Sequence, residues 1–339
     1  MNTRRIGIVI VSYDNTKDVA DLTSSIQKQL DKNDRLIVVD NKKPWKLKNY
    51  FDSRNIKTAI ENHDNGGFGA GCNFGASKII NDVDILLFIN PDMVLKQKNF
   101  INIMRTGYEK YDLWGGIIIN ADDGKLQVRE VPQHITGLSW SGGFGEDPKN
   151  ITEDYFATGV SGGCLAIKSD LFHRLGGFID EYFMYFEDRD LCTRALLSGA
   201  KLGYLHKAQI LHNYEYEKSD YKWKYLERNR LMSMLINWPT RLLVITFIPN
   251  LLFNFVIFLQ YLLSGKPHLK IWADLNFIKM VPFCMQERAI IKKSISVFRR
   301  DYFDSLTYKI DTAQMGIVGN NNLINEIFKI YYRILRLFM

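Results

Sequence analysis

The sequence of 339 residues has few cysteines, and none of them form a pair with metal-binding spacing. The four cysteines are Cys72, Cys164, Cys192 and Cys284. Structural zinc sites commonly use two cysteines separated by two to four residues, and small disulfide-rich domains use far denser cysteine patterns. Both classes are therefore excluded, and we expect free thiols in a reducing compartment.

A long apolar segment is also absent near the beginning of the sequence. The first apolar run, in "MNTRRIGIVIVSYDN", ends after six residues, where Ser12, Tyr13 and Asp14 follow. A secretory signal peptide has a longer apolar core and a cleavage site of small residues. We expect this run to form the first β-strand, and we expect no export.

Positive charge is concentrated in the last third of the chain. The net charge of the whole chain is +7, and residues 221–339 alone contain 17 Lys and Arg against 7 Asp and Glu. A basic segment of this kind suits either nucleic acid or an anionic membrane surface. The types of residue that surround these basic side chains distinguish the two kinds of partner.

The first 120 residues alternate between strand and helix patterns. Strands are predicted at 5–13, 35–41, 55–62 and 84–92, and an amphipathic helix is predicted at 15–30. This alternation predicts an α/β fold with a parallel, helix-covered sheet. Ligands of open parallel sheets bind beyond the carboxyl ends of the strands, and Asp40 and Asp92 both lie at such ends.

The glycine-rich stretch "NGGFGAGCNFG", residues 65–75, does not fit the common nucleotide-binding loops. Its glycine spacing matches neither G-x-G-x-x-G nor G-x-x-x-x-G-K-[ST]. Glycines still permit close backbone approach and exposed amides at a helix start. The stretch is therefore either a ligand-binding loop or a tight strand-to-helix turn.

Three other segments contain residue types suited to a metal or a diphosphate. "NPD", Asn90 to Asp92, ends the fourth predicted strand, where a carboxylate beside other oxygen ligands suits a hard divalent cation. Such a cation can hold a diphosphate, although this tripeptide is also a common turn. His212 could be a further ligand or a structural histidine. Arg228 and Arg230 could contact a diphosphate or lie on a solvated face.

An acidic segment, "FMYFEDRDLCTR", begins another predicted helix. Glu187 and Asp188 stand at its start, where the helix dipole favours carboxylates. Helix capping explains their position, with Asp190 and Arg194 forming a pair four residues apart. The density of acids among aromatic residues favours the alternative of a general base.

Together these segments resemble the family 2 glycosyltransferases, which have the GT-A fold, and in particular their bacterial rhamnosyltransferase-like branch. The resemblance rests on "IVIVSYDN", "IVVDN", the glycine-rich stretch, "LLFINPD", the block 159–199 and "LH", and it covers about residues 5–235. It implies an α/β fold with a Rossmann-like, mostly parallel central sheet and flanking helices. We expect a catalytic domain over 1–238 and a basic, hydrophobic helical region over 239–339.

The resemblance also implies roles for individual residues. Asp188 would be the catalytic base, with Glu187 beside it. Asp92 would hold a divalent cation, Mn or Mg, with His212 as a possible further ligand. The donor would be bound by Ser12, Tyr13, Asp40, Asn65, Gly66, Asn73, Asn90, Arg228 and Arg230. Asn90 stands where an aspartate is frequent, which predicts weaker cation binding.

The C-terminal region has two segments with membrane-like patterns. Residues 242–263 are 22 in number and uncharged, and a bilayer span needs about 20 apolar residues. Polar residues and Pro249 interrupt this run, which favours helices in the membrane interface over a span or soluble packing. In 322–339, polar and charged residues share one helix face, while another face contains Leu323, Ile327, Ile330, Ile334 and Phe338.

The predicted function is inverting glycosyl transfer in bacterial cell-surface polysaccharide synthesis. The first candidate is rhamnose, transferred from dTDP-rhamnose to a saccharide or lipid-linked acceptor at the cytoplasmic face of the cell membrane, on an anionic surface. Galactofuranose or a hexose is an alternative, as is a nucleotide-sugar-binding protein without activity. Nucleic acid is not an expected partner, because the basic residues flank an uncharged run and do not interleave with aromatic residues.

Overall fold

A computed structural model describes residues 4–213, 220–293, 299–312 and 321–339. The chain forms two compact units. The first unit comprises Met1–Val131, Ser141–Ala195 and Ala200–Glu215, and the second comprises Pro132–Trp140, Leu196–Gly199 and Tyr216–Met339. These units divide the chain differently from the predicted boundary at residue 238, because the helix that precedes this residue packs within the second unit. The predicted boundary remains a prediction about folding domains.

The first unit contains one sheet and six α-helices within its described residues. The strands are β1 (Ile6–Ser12), β2 (Arg35–Asp40), β3 (Ala59–Asn62), β4 (Ile85–Ile89), β5 (Met93–Val94), β6 (Leu113–Asn120), β7 (Leu126–Val128), β8 (Tyr155–Phe156), β9 (Cys164–Lys168) and β10 (Leu202–His212). The helices are α1 (Thr16–Gln27), α2 (Leu47–Ser53), α3 (Phe68–Ser77), α4 (Phe100–Thr106), α5 (Ser169–Leu175) and α6 (Glu187–Leu197).

The sheet is mixed, with the order β3-β2-β1-β4-β9-β6-β10-β5. The first four of these strands are parallel to one another, as predicted. Beyond them, β9 runs antiparallel to both β4 and β6, whereas β6 and β10 are again parallel to each other, so the sheet is mixed. The composition of β9 does not reveal this, because strand direction depends on the path of the chain.

Buried strands explain the continuous apolar runs of the sequence. Every residue of β1 and of β4 is buried, as expected where helices cover both faces of a parallel sheet. On α1, the apolar residues Val19, Leu22 and Ile26 recur every three or four positions and are likewise buried. These strands form the core that positions the candidate site.

The glycine-rich stretch is mostly helix and not a loop, since α3 begins at Phe68. A Cβ on Gly71 would lie 2.7 Å from Cγ1 of Val11, and one on Gly75 would lie 2.6 Å from Cγ1 of Val9. Both distances are shorter than any normal carbon contact. The glycines therefore allow α3 to pack directly against β1, which side chains at these positions would prevent.

The second unit is helical. Its helices are α7 (Asp220–Asn237), α8 (Thr240–Leu263), α9 (Pro267–Ile291), α10 (Arg299–Asp304) and α11 (Asn322–Phe338). Its apolar core includes Trp238, Leu242, Phe303 and Leu335. Within the described residues, α8 is the one helix long and apolar enough to cross a membrane by length and composition.

Candidate active site

The carboxyl ends of β1 and β2 form a small pocket. Parallel pairing places Ser12 beside Asp40, and both side chains are buried. A carboxylate oxygen of Asp40 accepts a hydrogen bond of 3.0 Å from the backbone N–H of Leu47, which fixes the acid at the pocket. Tyr13 follows β1 and is exposed. The structure thus brings together the three residues predicted to hold the nucleoside.

Three lysines of this pocket were not predicted from the sequence. The pocket is lined by Ser12, Asp14, Thr16, Asp40, Lys42, Lys43, Pro44, Lys46 and Leu47. Lys42 forms an ion pair with Asp14 and lies 5.2 Å from the ring centre of Tyr13. Lysines can neutralise a bound diphosphate. The signal for them was present as "DNKKPWK", directly after the end of β2.

The predicted donor residues near the glycine-rich stretch make internal contacts. The Asn73 amide group donates to the backbone oxygen of Phe178 at 2.8 Å and to Asp180 at 2.7 Å, and it accepts from the N–H of Phe178 at 2.9 Å. Asn65 accepts from the N–H of Gly67 at 3.1 Å. Asn73 therefore braces α3 against the segment that precedes the acid pair, and this geometry does not favour a donor contact. Gly66, beside Asn65, precedes α3.

A strained turn leads into the acid pair. Phe183, Tyr185 and Phe186 have φ angles of 63°, 65° and 74°, a region that residues with side chains rarely adopt. The N–H of Phe68 donates to the oxygen of Phe183 at 2.9 Å, and a Cβ on Gly67 would lie 1.8 Å from that oxygen. Strain of this kind persists where the surroundings hold it, and it is frequent at functional sites.

The two acids at the start of α6 lie in different environments. Asp188 is partly exposed and accepts backbone hydrogen bonds from Gly162 at 2.8 Å and from Arg189 at 2.7 Å. Glu187 is only 7% exposed, and its Oε2 has no hydrogen-bond donor among the described residues. Two acids so close cannot easily ionise together. The donors favour placing the negative charge on Asp188.

The pKa shifts follow from these environments. Burial and then the charge of Asp188 raise the pKa of Glu187 to about 8. Burial also raises the pKa of Asp188, while the N–H groups of Gly162 and Arg189 oppose that rise. Near neutral pH, Glu187 therefore holds a proton, and the two backbone donors favour the negative charge of the pair on Asp188. An ionised acid with a raised pKa has the properties of a general base.

Glu187→Gln is expected to flatten the pH dependence of stability. Because the pKa of Glu187 is higher in the folded state, the folded protein keeps a proton that the unfolded chain releases above a pH of about 4.3. The contribution of Glu187 to the stability of the wild type therefore falls as the pH rises towards 8. The variant should reduce this slope by up to about 1.4 kcal/mol per pH unit. Urea unfolding at several pH values tests this, with exposed Glu153→Gln as control; parallel curves for Glu187→Gln and the wild type would contradict it.

The predicted cation ligands, Asp92 and His212, lie together although they are far apart in sequence. Antiparallel pairing of β5 with β10 places Met93 opposite His212. The carboxylate Oδ1 of Asp92 lies 3.0 Å from Nε2 of His212, and this oxygen has no hydrogen-bond donor among the described residues. Two such atoms at this distance share either a proton or a cation.

Gln127 orients His212 and was not predicted from the sequence. Its amide oxygen lies 2.7 Å from Nδ1 of His212, so Nδ1–H donates the hydrogen bond. In a neutral imidazole, Nε2 then carries the lone pair that faces Asp92. A hydrogen bond to the remote nitrogen is the usual support of a metal-binding histidine. No sequence signal marks Gln127, because its role depends on the pairing of β7 with β6.

The residues present fit a divalent cation that is held jointly with a substrate. The described residues contain no group of three His, Cys, Asp or Glu side chains that could bind a metal without help. Mn²⁺ or Mg²⁺ in such sites keeps waters and binds substrate phosphates, so two protein ligands suffice. Asn90, two residues before Asp92, is partly exposed, and its N–H donates to the oxygen of Gly163 at 3.0 Å.

Arg228 and Arg230 lie in the second unit and make contacts there. Nε of Arg228 donates to Asn229 at 2.8 Å. Arg230 is 1% exposed and donates to Glu227 at 3.0 Å, to the oxygen of Thr136 at 2.9 Å and to Asn254 at 2.9 Å. These contacts engage its guanidinium group, so the geometry does not favour the predicted diphosphate contact. Glu227, Arg230 and Lys270 form a buried ion cluster, and the partly buried Asn254 accepts hydrogen bonds from both cations.

The mixed sheet with its flanking helices is the GT-A fold of glycosyltransferases. Residues 7–176, half of the chain, match the family model described as Glycosyl transferase family 2. The chain belongs to this family, which confirms the resemblance inferred from the sequence motifs.

Curated relatives and solved structures agree with this assignment. The chain is 26% identical over 254 residues to the rhamnosyltransferase WbbL of Escherichia coli (strain K12), covering 67% of this chain and 94% of WbbL. It is 23% identical to the hexosyltransferase Agl10 of Haloferax volcanii, covering 65% and 71% of the two chains. GalNAc-T7 with UDP, GalNAc and Mn²⁺ superposes with a TM-score of 0.57 at 16% identity, over 70% of this chain and 49% of that longer one. TarS 1–349 of S. aureus gives 0.51 at 14% identity, over 90% and 84%.

Proposed function

We propose that the protein is an inverting glycosyltransferase that moves rhamnose from dTDP-rhamnose to a saccharide or lipid-linked acceptor. The observation that carries the proposal is the divided acid pair: Asp188 is partly exposed and accepts two backbone hydrogen bonds, while Glu187 is buried with one carboxyl oxygen that has no donor among the described residues. The relative WbbL, which is named as a rhamnosyltransferase, supports the choice of sugar. A hexose is the second candidate, because another relative is named as a hexosyltransferase.

In the proposed reaction, Asp188 removes the proton of an acceptor hydroxyl. The hydroxyl oxygen then bonds to the anomeric carbon from the face opposite the diphosphate, and the bond from that carbon to the diphosphate oxygen breaks. Its electron pair leaves with the nucleoside diphosphate, and the proton stays on Asp188. Inversion of the anomeric centre follows from this single displacement.

The donor would bind along the carboxyl ends of the strands. Ser12 and Asp40 lie at the pocket proposed for the nucleoside, and lysines beside it would neutralise part of the diphosphate charge. Asp92 and His212 would hold a divalent cation, whose role is to neutralise the charge that develops on the leaving diphosphate. Mn²⁺ is the first candidate, because it accompanies the nucleotide in GalNAc-T7.

The donor and the cation are testable together. We expect dTDP-rhamnose to raise the unfolding temperature of the protein more with Mn²⁺ than without it. Asp92→Asn should weaken Mn²⁺ binding at least about tenfold, because it removes one of two protein ligands. The exposed Asp122→Asn is the matched control. If no nucleotide-sugar raises the unfolding temperature of the wild type, the proposed function is contradicted. If Asp92→Asn binds Mn²⁺ as tightly as the wild type does, the proposed cation site is contradicted.

We further propose that the protein acts on the cytoplasmic face of the cell membrane, attached to an anionic surface. The excess of basic residues in 221–339 and the apolar α8 support this placement. It would bring the enzyme to a lipid-linked acceptor. Flotation with anionic vesicles tests the attachment.

A further inference from the structure

Three helices of the second unit expose apolar stripes. On α8, the exposed side chains are Val244, Phe247, Ile248, Leu251, Leu252, Phe255, Val256, Leu259, Leu262 and Leu263. On α9 they include Ile271, Leu275, Ile278 and Met285, and on α11 they are Leu323, Ile327, Ile330, Ile334, Leu337 and Phe338. Within each set, residues recur at spacings of three, four or seven, so each set marks one helix face. Exposed apolar faces of this extent indicate a binding surface.

The opposite face of α8 is held inside the unit. Leu242, Thr246 and Ile257 are buried, and Asn254 accepts hydrogen bonds from Arg230 at 2.9 Å and from Lys270 at 2.7 Å. The aromatic ring of Phe253 on α8 lies 6.1 Å from that of Phe328 on α11. Thr246 and Asn254, two of the polar residues that interrupt the apolar run in sequence, therefore face protein, whereas Gln260 is exposed.

The buried ion cluster decides against a bilayer-crossing α8. Asn254 lies about 4 Å from the midpoint of this helix, at a rise of 1.5 Å per residue. If α8 crossed a membrane, Asn254 would lie near the centre of the bilayer. Its hydrogen-bond partners, Arg230 on α7 and Lys270 on α9, would then lie there as well. Charged side chains are costly there. A helix that lies in the plane of the surface immerses only its outer face, by about 5–10 Å.

We infer that α8, α9 and α11 rest their exposed stripes on an anionic bilayer, with α8 parallel to the membrane plane. This inference rests on the proposed membrane attachment and adds its mode. A second copy of the chain is a less suitable partner, because residues 221–339 carry 17 basic against 7 acidic residues. Like charges would repel such a copy, whereas anionic lipids attract the same segment.

The mode of attachment is testable with spin labels on single cysteines placed at Val244, Leu252 and Leu262. The four natural cysteines are buried, and the wild type serves as the control for unwanted labelling. Oxygen and nickel accessibility on vesicles of phosphatidylglycerol and phosphatidylcholine then measures depth. We expect three similar, shallow depths of about 5–10 Å. A label at Leu252 near the bilayer centre, about 15 Å deep, with shallow labels at both ends would overturn the inference.

Flotation separates failure of this inference from failure of the proposed attachment. Leu251→Asp on α8 and Ile330→Asp on α11 should each weaken vesicle binding by about tenfold. Phe156→Asp is the matched control, because Phe156 is 71% exposed but lies in the first unit. Loss of binding in the α8 and α11 variants alone supports the docking face. A wild type that floats while both variants bind normally overturns the docking face alone, and a wild type that does not float overturns the attachment as well.

Discussion

Asp188→Asn is expected to lower the rate of sugar transfer by about a thousandfold, within the range for removal of a general base. Asparagine has nearly the same shape, and its amide oxygen can still accept the hydrogen bond from Gly162. The variant therefore keeps the local structure and loses the group that takes the proton. Donor binding, measured by thermal protection, should change by no more than about twofold.

Glu187→Gln is the control that distinguishes the roles of the two acids. Because Glu187 holds a proton near neutral pH, its neutral isostere should keep far more activity than Asp188→Asn. The reverse order of activities would assign the base to Glu187. Retention of more than about a tenth of the wild-type rate by Asp188→Asn would exclude Asp188 as the base.

Site features that depend on local sequence could be predicted. Asp40 ends an apolar strand, and the end of a parallel strand is where ligands bind, so its placement followed from the pattern, while Ser12 was expected from the resemblance. The acidic start of α6 was likewise visible. The outer stripe of α11 also followed from helical spacing alone, and its residues are exposed in the structure. In each case, the informative residues lie within one element.

Features that depend on distant pairing could not be predicted. Asn73 contacts Phe178, which is 105 positions away. Because the local sequence does not show this contact, the Asn73 amide was predicted to bind the nucleotide-sugar. Gln127 meets His212 only because β7, β6 and β10 are neighbours in the sheet. The glycines of α3 were expected in a ligand-binding loop or a tight strand-to-helix turn, because their packing against Val9 and Val11 leaves no trace in local composition. Arg230 was predicted to contact a ligand because the local sequence does not show that helices of the second unit bury its side chain.

Glu227→Gln is expected to reduce the free energy of unfolding by about 3 kcal/mol at pH 7, the low end for a broken buried ion pair. Arg230 and Lys270 are almost fully buried, and both lie within 3.5 Å of the same oxygen of Glu227. Glutamine keeps the shape but removes the charge that both cations share. Lys270 retains Asp274, which is why the loss should stay near the low end.

The pH dependence of this loss identifies its electrostatic origin. Burial tends to raise the pKa of Glu227, but Arg230 and Lys270 overcome this effect and hold the pKa below its usual value. The stabilisation is therefore complete above the unfolded-state pKa of about 4.3, and it disappears as the pH falls through the lower folded-state value. Urea unfolding of wild type and variant should converge in acid. The exposed pair of Glu326 and Lys329 is the matched control, since Glu326→Gln should cost less than about 0.5 kcal/mol. A similar loss at both sites, or a loss from Glu227→Gln that persists in acid, would show that the cluster does not act through its charges.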